Sequence, residues 1–409
     1  MQEKMQPIPG GVCAARGFQA NGVCCGIRPK GDKPDLALIY SEAPAAAAAV
    51  YTQNLVKGAP LLVTKEHLRG GTARAIICNS GNANTCNADG VAVAERMCAL
   101  AGEYTKVPPE EIIVASTGVI GVPLPIGPIQ NGMPPLAAGL SRSGGGQAAR
   151  AIMTTDTYPK ECAVAFTLSG GAVCRIGGMA KGSGMIHPNM ATMLVFLTTD
   201  AAIAPELLRE LLKLTANDTF NMISVDGDTS TNDMCCILAN GLAGNAAIAG
   251  PGNDREIFRA ALYQVMANLA KQLAADGEGA TKLITCHVSG AATTDDARKL
   301  AKSVIGSNLL KCAIFGADAN WGRVLCALGY AGVDLDVTKI GVRFRSAAGE
   351  LAVCENGAGL PFSEEKAALV LAEREIALLI TCGAGSAEAT AWGCDLTYDY
   401  VKINGDYRT

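Results

Sequence analysis

Several runs in this 409-residue chain are apolar and often β-branched along their length, without the alternation of a strand that wets one face. Arg74 to Asn79, Ile112 to Ala115, Cys162 to Leu168, Met193 to Leu197, Leu283 to Val288 and Ile340 to Phe344 read as strands, several of them apolar enough to be buried on both faces. Successive strand side chains point to opposite faces, so runs like these belong to strands buried on both sides. Asp395 to Tyr400 does alternate, which predicts a strand with one wet face. Between the strands lie amphipathic stretches. From Asp254 to Ala274, Ile257, Ala261, Val265, Leu269 and Leu273 recur every four positions, with Asp254 placed to cap the start. Pro205 followed by Leu207, Leu208, Leu211 and Leu212 predicts a second helix, and Ser363 with Glu364 and Glu365 opens a third running to about Leu379. Glycines, 47 in all, punctuate the joints. The pattern is mixed α/β with no internal repeat, and Pro123 to Gly146, rich in Pro, Gly and Ser, reads as a mobile surface connection or a lid.

Composition narrows the function classes. Lys and Arg number 34 against 38 Asp and Glu, a net charge of -4, so there is no cationic excess to neutralise nucleic acid. The amino terminus lacks an apolar signal core, and apolar stretches such as Ala45 to Tyr51 fall short of a membrane span, so the expectation is a cytoplasmic protein without membrane attachment. Sixteen cysteines without a secretion signal read as small buried hydrophobes. No CxxC pair occurs, Cys24-Cys25 and Cys235-Cys236 are adjacent, and His67, His187 and His287 are scattered, so no metal site is expected.

Between Gly177 and Asp200 the chain reads GGMAKGSGMIHPNMATMLVFLTTD, a Gly- and Met-rich polar loop running into an apolar strand. On its own, Ala-Thr-Met is an ordinary entry into a core strand. The alternative is chemical: a threonine hydroxyl becomes a nucleophile when a base takes its proton, and the residue's own α-amine serves if the Ala191-Thr192 bond is cut.

KGSGMIHPNMATML at this junction, STGVIG at Ser116 to Gly121, TTDTYPK at Thr154 to Lys160, DGEGATK at Asp276 to Lys282, GADANWGR at Gly316 to Arg323 and the terminal YVKINGDYRT resemble the glutamate N-acetyltransferase family of arginine biosynthesis, also called ornithine acetyltransferases. The similarity runs in one order from PGGVCAARGF to Thr409. It implies a layered αββα sandwich of the ornithine acetyltransferase and D-aminopeptidase type with a smaller C-terminal α/β part. It implies self-cleavage into residues 1–191 and 192–409, the two sharing one core, with a C-terminal subdomain from about residue 285. Two of each chain would form a heterotetramer.

The activity so implied is transfer of acetyl from N2-acetylornithine to glutamate by a ping-pong route through an acetyl-threonine at Thr192, which is also the residue after the Ala191 cleavage point. Thr117 and Gly118 would form the oxyanion hole, although Ser-Thr-Gly after a strand is otherwise a common turn. Lys181 would sit in the amino-acid pocket, where most lysines of Gly-rich loops are simply solvated. Thr154 would add a hydroxyl, a role Thr155 fills equally well on sequence. Glu278 would meet the extra cation of ornithine, and Asn404 and Thr409 would close the pocket. His187 reads as structural. No resident cofactor is expected, and acetyl-CoA stays open as a second donor, which would make the enzyme bifunctional. The competing readings are an amidohydrolase or aminopeptidase of the same fold, in which water takes the acyl group, and a non-catalytic amino-acid-binding protein.

Overall fold

The computed structural model describes residues 5–28, 32–187 and 193–406. In chain order the strands begin β1 (Met5–Pro7), β2 (Phe18–Val23), β3 (Leu36–Tyr51), β4 (Thr72–Asn79), β5 (Ile112–Ser116), β6 (Lys160–Thr167), β7 (Val173–Lys181) and β8 (Leu194–Thr199). They continue β9 (Ile223–Ser224), β10 (Met234–Ala239), β11 (Leu283–Ala291), β12 (Gly341–Ser346), β13 (Gly349–Glu355), β14 (Ala358–Gly359), β15 (Glu375–Thr381) and β16 (Ala387–Cys394). The helices are α1 (Ala59–His67), α2 (Gly90–Thr105), α3 (Ile126–Ala138), α4 (Gly145–Ala151), α5 (Pro205–Asp218) and α6 (Asn253–Ala275). After them come α7 (Thr294–Ile305), α8 (Asn308–Phe315), α9 (Trp321–Gly329), α10 (Glu364–Ala372) and α11 (Tyr398–Asp406).

The first sheet runs β1-β6-β7-β8-β10-β3-β4-β5, with β2 also on β3. The long β3 belongs to two leaves: its first half pairs with β2 and β4, the register shifts between Tyr40 and Ala45, and its second half pairs with β10. The leaves face each other, and the alternation of side chains shows it. Ala37, Ile39, Ile76, Cys78 and Ile113 of one leaf share an apolar cluster with Met179, Leu194, Phe196, Met234 and Cys236 of the other. The intervening positions point outward: Leu36, Leu38, Ile77, Ile112 and Val114 meet α2 and α3, while Val195, Leu197, Cys235 and Ile237 meet α5 and α6. Helix, leaf, leaf, helix is the layered αββα sandwich. It also explains why Ile112 to Ala115 and Met193 to Leu197 are buried throughout, since both faces of these strands are core, whereas Leu283 to Val288 lies in the second sheet and alternates, with Thr285 and His287 half-buried. Cys235 and Cys236 are adjacent in sequence and lie on opposite faces, each fully buried.

The smaller C-terminal part is a seven-stranded sheet ordered β14-β13-β12-β15-β11-β16-β9. Cys286, Val288, Val342, Phe344, Leu378 and Ile380 are buried, while Arg343 and Arg345 between them are exposed, so this sheet does alternate. Its apolar residues and α6 belong to the same cluster as the outer face of the first sheet, which joins the two parts into one core.

Six expectations require correction. Of the sixteen cysteines expected as buried hydrophobes nine are buried, whereas Cys24, Cys86, Cys312 and Cys326 are exposed and Cys13, Cys25 and Cys162 half-buried, because most of these seven lie in loops or on the outer faces of helices. The helix opened by Ser363 ends at Ala372, and Glu375–Thr381 is β15, paired with both β11 and β12. Residues 395–400 are no strand: β16 stops at Cys394, and Tyr398 begins α11. Asp254 lies within the first turn of α6, not at its cap; Gly252 is the cap, and an Asp254 carboxylate oxygen accepts from the Ser169 N–H at 2.7 Å. Gly177–Lys181, expected as loop, is the end of β7. Pro123 to Gly146 holds α3, whose Ile129, Met133 and Leu136 are fully buried against the first leaf, so it is packed structure and no lid. Met133→Ala should cost about 2–5 kcal/mol, the range for truncating a buried methionine, measured by urea unfolding; an unchanged midpoint would show that the segment does not pack.

Candidate active site

The apolar strands deliver polar ends to one place. A pocket of about 140 Å³ is walled by residues following β5, ending β7, opening β8 and preceding β10, together with the loops after α4 and α6 and with α11. Thr117, Gly118, Thr154, Lys181, Glu278 and Asn404 all line it, and so does Thr155, which leaves both threonines of that pair at the wall. Ala191, Thr192 and Thr409 lie outside the described residues; Met193, bonded to Thr192 in the chain, is part of the wall.

The oxyanion candidates sit where β5 ends. The Thr117 N–H donates to Asn79 O at 3.0 Å, so the group that Thr117 offers the pocket is its hydroxyl, 3.4 Å from Lys181 Nζ. Gly118 has φ +133, and a Cβ there would lie 2.7 Å from Asn82 N and from Gly81 C, so only glycine brings this backbone so close to its neighbour. Asn232 ties the walls together: its side-chain amide donates to Ala83 O at 2.5 Å and Ser116 O at 3.0 Å and accepts from the Thr85 and Thr231 hydroxyls. On the opposite wall Asn404 Nδ2 donates to Glu278 Oε2 at 2.7 Å, and a Cβ on Gly184 would stand 2.3 Å from that carboxyl group. Glu278 is buried, at 8% exposure, which makes it a low-dielectric partner for a cation.

Beneath the pocket is a buried ion cluster that sequence reasoning missed. Lys160 Nζ lies 2.6 Å from Asp156 Oδ1 and 2.5 Å from Asp276 Oδ2, with all three side chains at 4% exposure or less. Asp156 accepts from the N–H of Thr154 at 2.9 Å and of Gly182 at 2.7 Å; Asp276 accepts from the Thr157 N–H. Ser183 Oγ donates to Asp276 O, and the Glu278 N–H donates to Ser183 O. The cluster thus positions Thr154, Lys181 and Glu278 at once. Burial opposes the Asp156 charge, but Lys160, Lys181 and the Gly182 N–H outweigh it and hold the carboxyl below its usual range. Asp156 and Lys160 share the TTDTYPK stretch, the one sequence signal available; Asp276 joins from 116 residues farther on.

Asp233 is a second residue that sequence reasoning missed. It lines the pocket, is 3% exposed, and its Oδ2 has no hydrogen-bond partner among the described residues. Burial pushes its carboxyl well above the ordinary range, against the opposing pull of Ser230 and Lys181. His187 lies outside the pocket wall: its Nδ1 is 2.9 Å from Ser224 Oγ, and burial together with Lys302 pushes the imidazole down to about 4, leaving it neutral near pH 7. Among the described residues no cluster of His, Cys, Asp and Glu is arranged to hold a metal ion. No helix there is long and apolar enough to cross a membrane.

Fold and pocket together define a layered α/β enzyme with a polar, carboxylate-bearing site at converging strand ends. The chain belongs to the ArgJ family, whose profile matches residues 19–409. It is 53% identical over 407 residues to the arginine biosynthesis bifunctional protein ArgJ of Symbiobacterium thermophilum, covering 99% of this chain and 100% of that one. It is 50% identical over 406 residues to the protein of that name from Caldanaerobacter subterraneus, again over 99% and 100%. Among solved structures, the ArgJ protein of Bacillus halodurans is 44% identical across 52% of this chain and 98% of that chain, with a TM-score of 0.49. Ornithine acetyltransferase from Mycobacterium tuberculosis, solved with ornithine, is 37% identical across 46% of this chain and 100% of that chain, with a TM-score of 0.42.

Replacing Lys160 by Met removes the cation between two buried carboxylates, which should cost about 3–5 kcal/mol of stability. Urea unfolding at pH 7 measures it, and a loss below 1 kcal/mol would mean that the cluster does not hold the pocket floor.

Proposed function

We propose that this acyltransferase of arginine biosynthesis moves an acetyl group from N2-acetylornithine to glutamate through an acetyl ester on Thr192. The observation that carries the reading is the convergence of Thr117, Gly118, Lys181, Glu278 and Asn404 on a pocket whose wall includes Met193, the neighbour of Thr192 in the chain. Cleavage between Ala191 and Thr192 frees the α-amine, which takes the hydroxyl proton as the oxygen attacks the acetyl carbonyl. The Thr117 hydroxyl and the Gly118 N–H are the donors for the developing oxyanion. Lys181 is suited to the substrate carboxylate and Glu278 to the side-chain ammonium of ornithine, with Thr154 or Thr155 adding a hydroxyl. Ornithine leaves and glutamate accepts the acetyl group. Thr409, at the end of the tail that carries Asn404, is proposed to complete the closure.

The two products of the cut would stay together. β7, before it, and β8, after it, are antiparallel neighbours over six residue pairs from Ile176↔Thr199 to Lys181↔Leu194, with both faces in the core. The assembly proposed is two such pairs, in the cytoplasm, and native mass measurement tests it. Glutamate with acetyl-CoA as sole donor is the companion assay for a second activity.

Denaturing electrophoresis of the purified enzyme should show Met1–Ala191 and Thr192–Thr409 as separate fragments, with Thr192→Ala uncut and inactive. A fully active enzyme of full length would end the proposal. Thr117→Ala, assayed for acetyl exchange between acetylornithine and glutamate, should lower kcat by about a hundredfold or more with little change in KM, as for loss of one oxyanion donor; unchanged turnover would remove Thr117 from the site.

A further inference from the structure

Thr117 and Gly118 reach the pocket from one leaf of the sandwich, Lys181 and Met193 from the other. Apolar contacts between the leaves have no directional preference, whereas oxyanion donors are effective only when held to within a fraction of an ångström. We infer that Asn232 supplies this precision: it is a positioning residue for the Thr117 and Gly118 donors, acting on turnover and not on substrate binding, and the inference rests on the reading of those two residues given above.

Asn232 lies two residues before β10, in the leaf opposite to β5, and is 4% exposed. Its amide N–H groups bracket the pair. One donates to Ser116 O at 3.0 Å, directly before Thr117; the other donates to Ala83 O at 2.5 Å, and the Ala83 N–H in turn donates to Val119 O at 2.9 Å, directly after Gly118. The Ser116-Thr117 peptide is a rigid plane held at both edges, its C=O by Asn232 and its N–H by Asn79 O at 3.0 Å. A tilt of that plane would swing the Thr117 hydroxyl and turn the Gly118 N–H that follows, so Asn232 fixes the direction of both donors.

The amide can face only one way. Ala83 and Ser116 offer carbonyl oxygens, which accept, so the nitrogen must turn to them, and Oδ1 takes the hydroxyls of Thr85 at 2.5 Å and Thr231 at 2.6 Å. Two bonds donated and two accepted use the whole capacity of this side chain, so Asn232 reaches the pocket wall with nothing left to offer a substrate. Its surroundings are shaped to admit it: a Cβ on Gly58 would lie 2.5 Å from Nδ2. Asn232→Asp keeps the shape and loses both donors, setting a carboxyl oxygen against two carbonyl oxygens.

The test measures acetyl exchange between acetylornithine and glutamate by the purified enzyme, with kcat counted per cut chain from intact mass, for wild type, Asn232→Asp, Thr117→Ala and the double variant. Asn232→Asp should lower kcat about tenfold to a hundredfold, the scale for a displaced catalytic group, with KM for acetylornithine changed by no more than about twofold. In the Thr117→Ala background the same substitution should cost at least about threefold less than it does in wild type, because one of the donors it positions is already gone; a purely structural role would give losses that multiply. A slowed Thr117→Ala together with wild-type kcat in Asn232→Asp, a raised KM at unchanged kcat, or losses that multiply would overturn the role of Asn232 alone. Wild-type turnover in Thr117→Ala would overturn the reading of the oxyanion donors beneath it. Should Asn232→Asp fold poorly or stay uncut, Thr85→Val decides the matter, since it removes one of the two hydroxyls that fix the direction of the amide: kcat should fall about twofold or more at unchanged KM, and kcat at the wild-type value would overturn the assignment.

Discussion

Burial of strands on both faces governs this molecule. When the side chains above and below a strand are both committed to core, polar chemistry is left only the strand ends and the loops joining them. In β5, β7, β8 and β10 those ends meet at one place, and the pocket forms there. Strand β3 links the leaves, because its first half pairs with β2 and β4 and its second half with β10.

The second organising element is the ammonium of Lys160 held between Asp156 and Asp276. Three fully or nearly fully buried charges would be a liability if any were unpaired, yet here each carboxylate also accepts backbone N–H groups from pocket loops. The cluster converts electrostatic attraction into position: it fixes where Thr154, Gly182 and, through Ser183, Glu278 stand. Carboxylates that are not part of the pocket wall thereby decide the shape of the site.

Much of this was legible in the sequence, for reasons that differ by element. The double-faced strands announced themselves by lack of alternation, and α5 and α6 by their leucine spacing. The α3 helix was hidden because Pro134 and Pro135 lie inside it and glycines flank it, although Ile126, Ile129 and Met133 carry helical spacing. β15 reads in the sequence as a continuation of α10 because it follows the helix after only two positions. The pocket residues came from the family resemblance, which quoted them in separate motifs; that Thr117, Lys181 and Glu278 share one wall is a fact of topology. Asp233 and the union of Lys160 with Asp276 left no local trace, since a buried acid next to a strand looks like any turn acid until its surroundings are known.

The cysteines of the core bear on how this protein fails. Cys78, Cys235, Cys236 and Cys286 are buried, with thiols that burial pushes far above the ordinary range, so in the native state they offer almost no thiolate to an oxidant. Unfolding reverses this at once for the nine buried cysteines, turning sealed hydrophobes into ordinary thiols free to pair at random with one another and with Cys24, Cys86, Cys312 and Cys326, which are exposed already. For those nine, resistance to oxidation is therefore a property of the packed state, and in air the unfolded chain would be driven into cross-linked species from which there is no return without a reductant. Operational lifetime is then set by the rate at which the layers first part, not by the equilibrium between folded and unfolded chains.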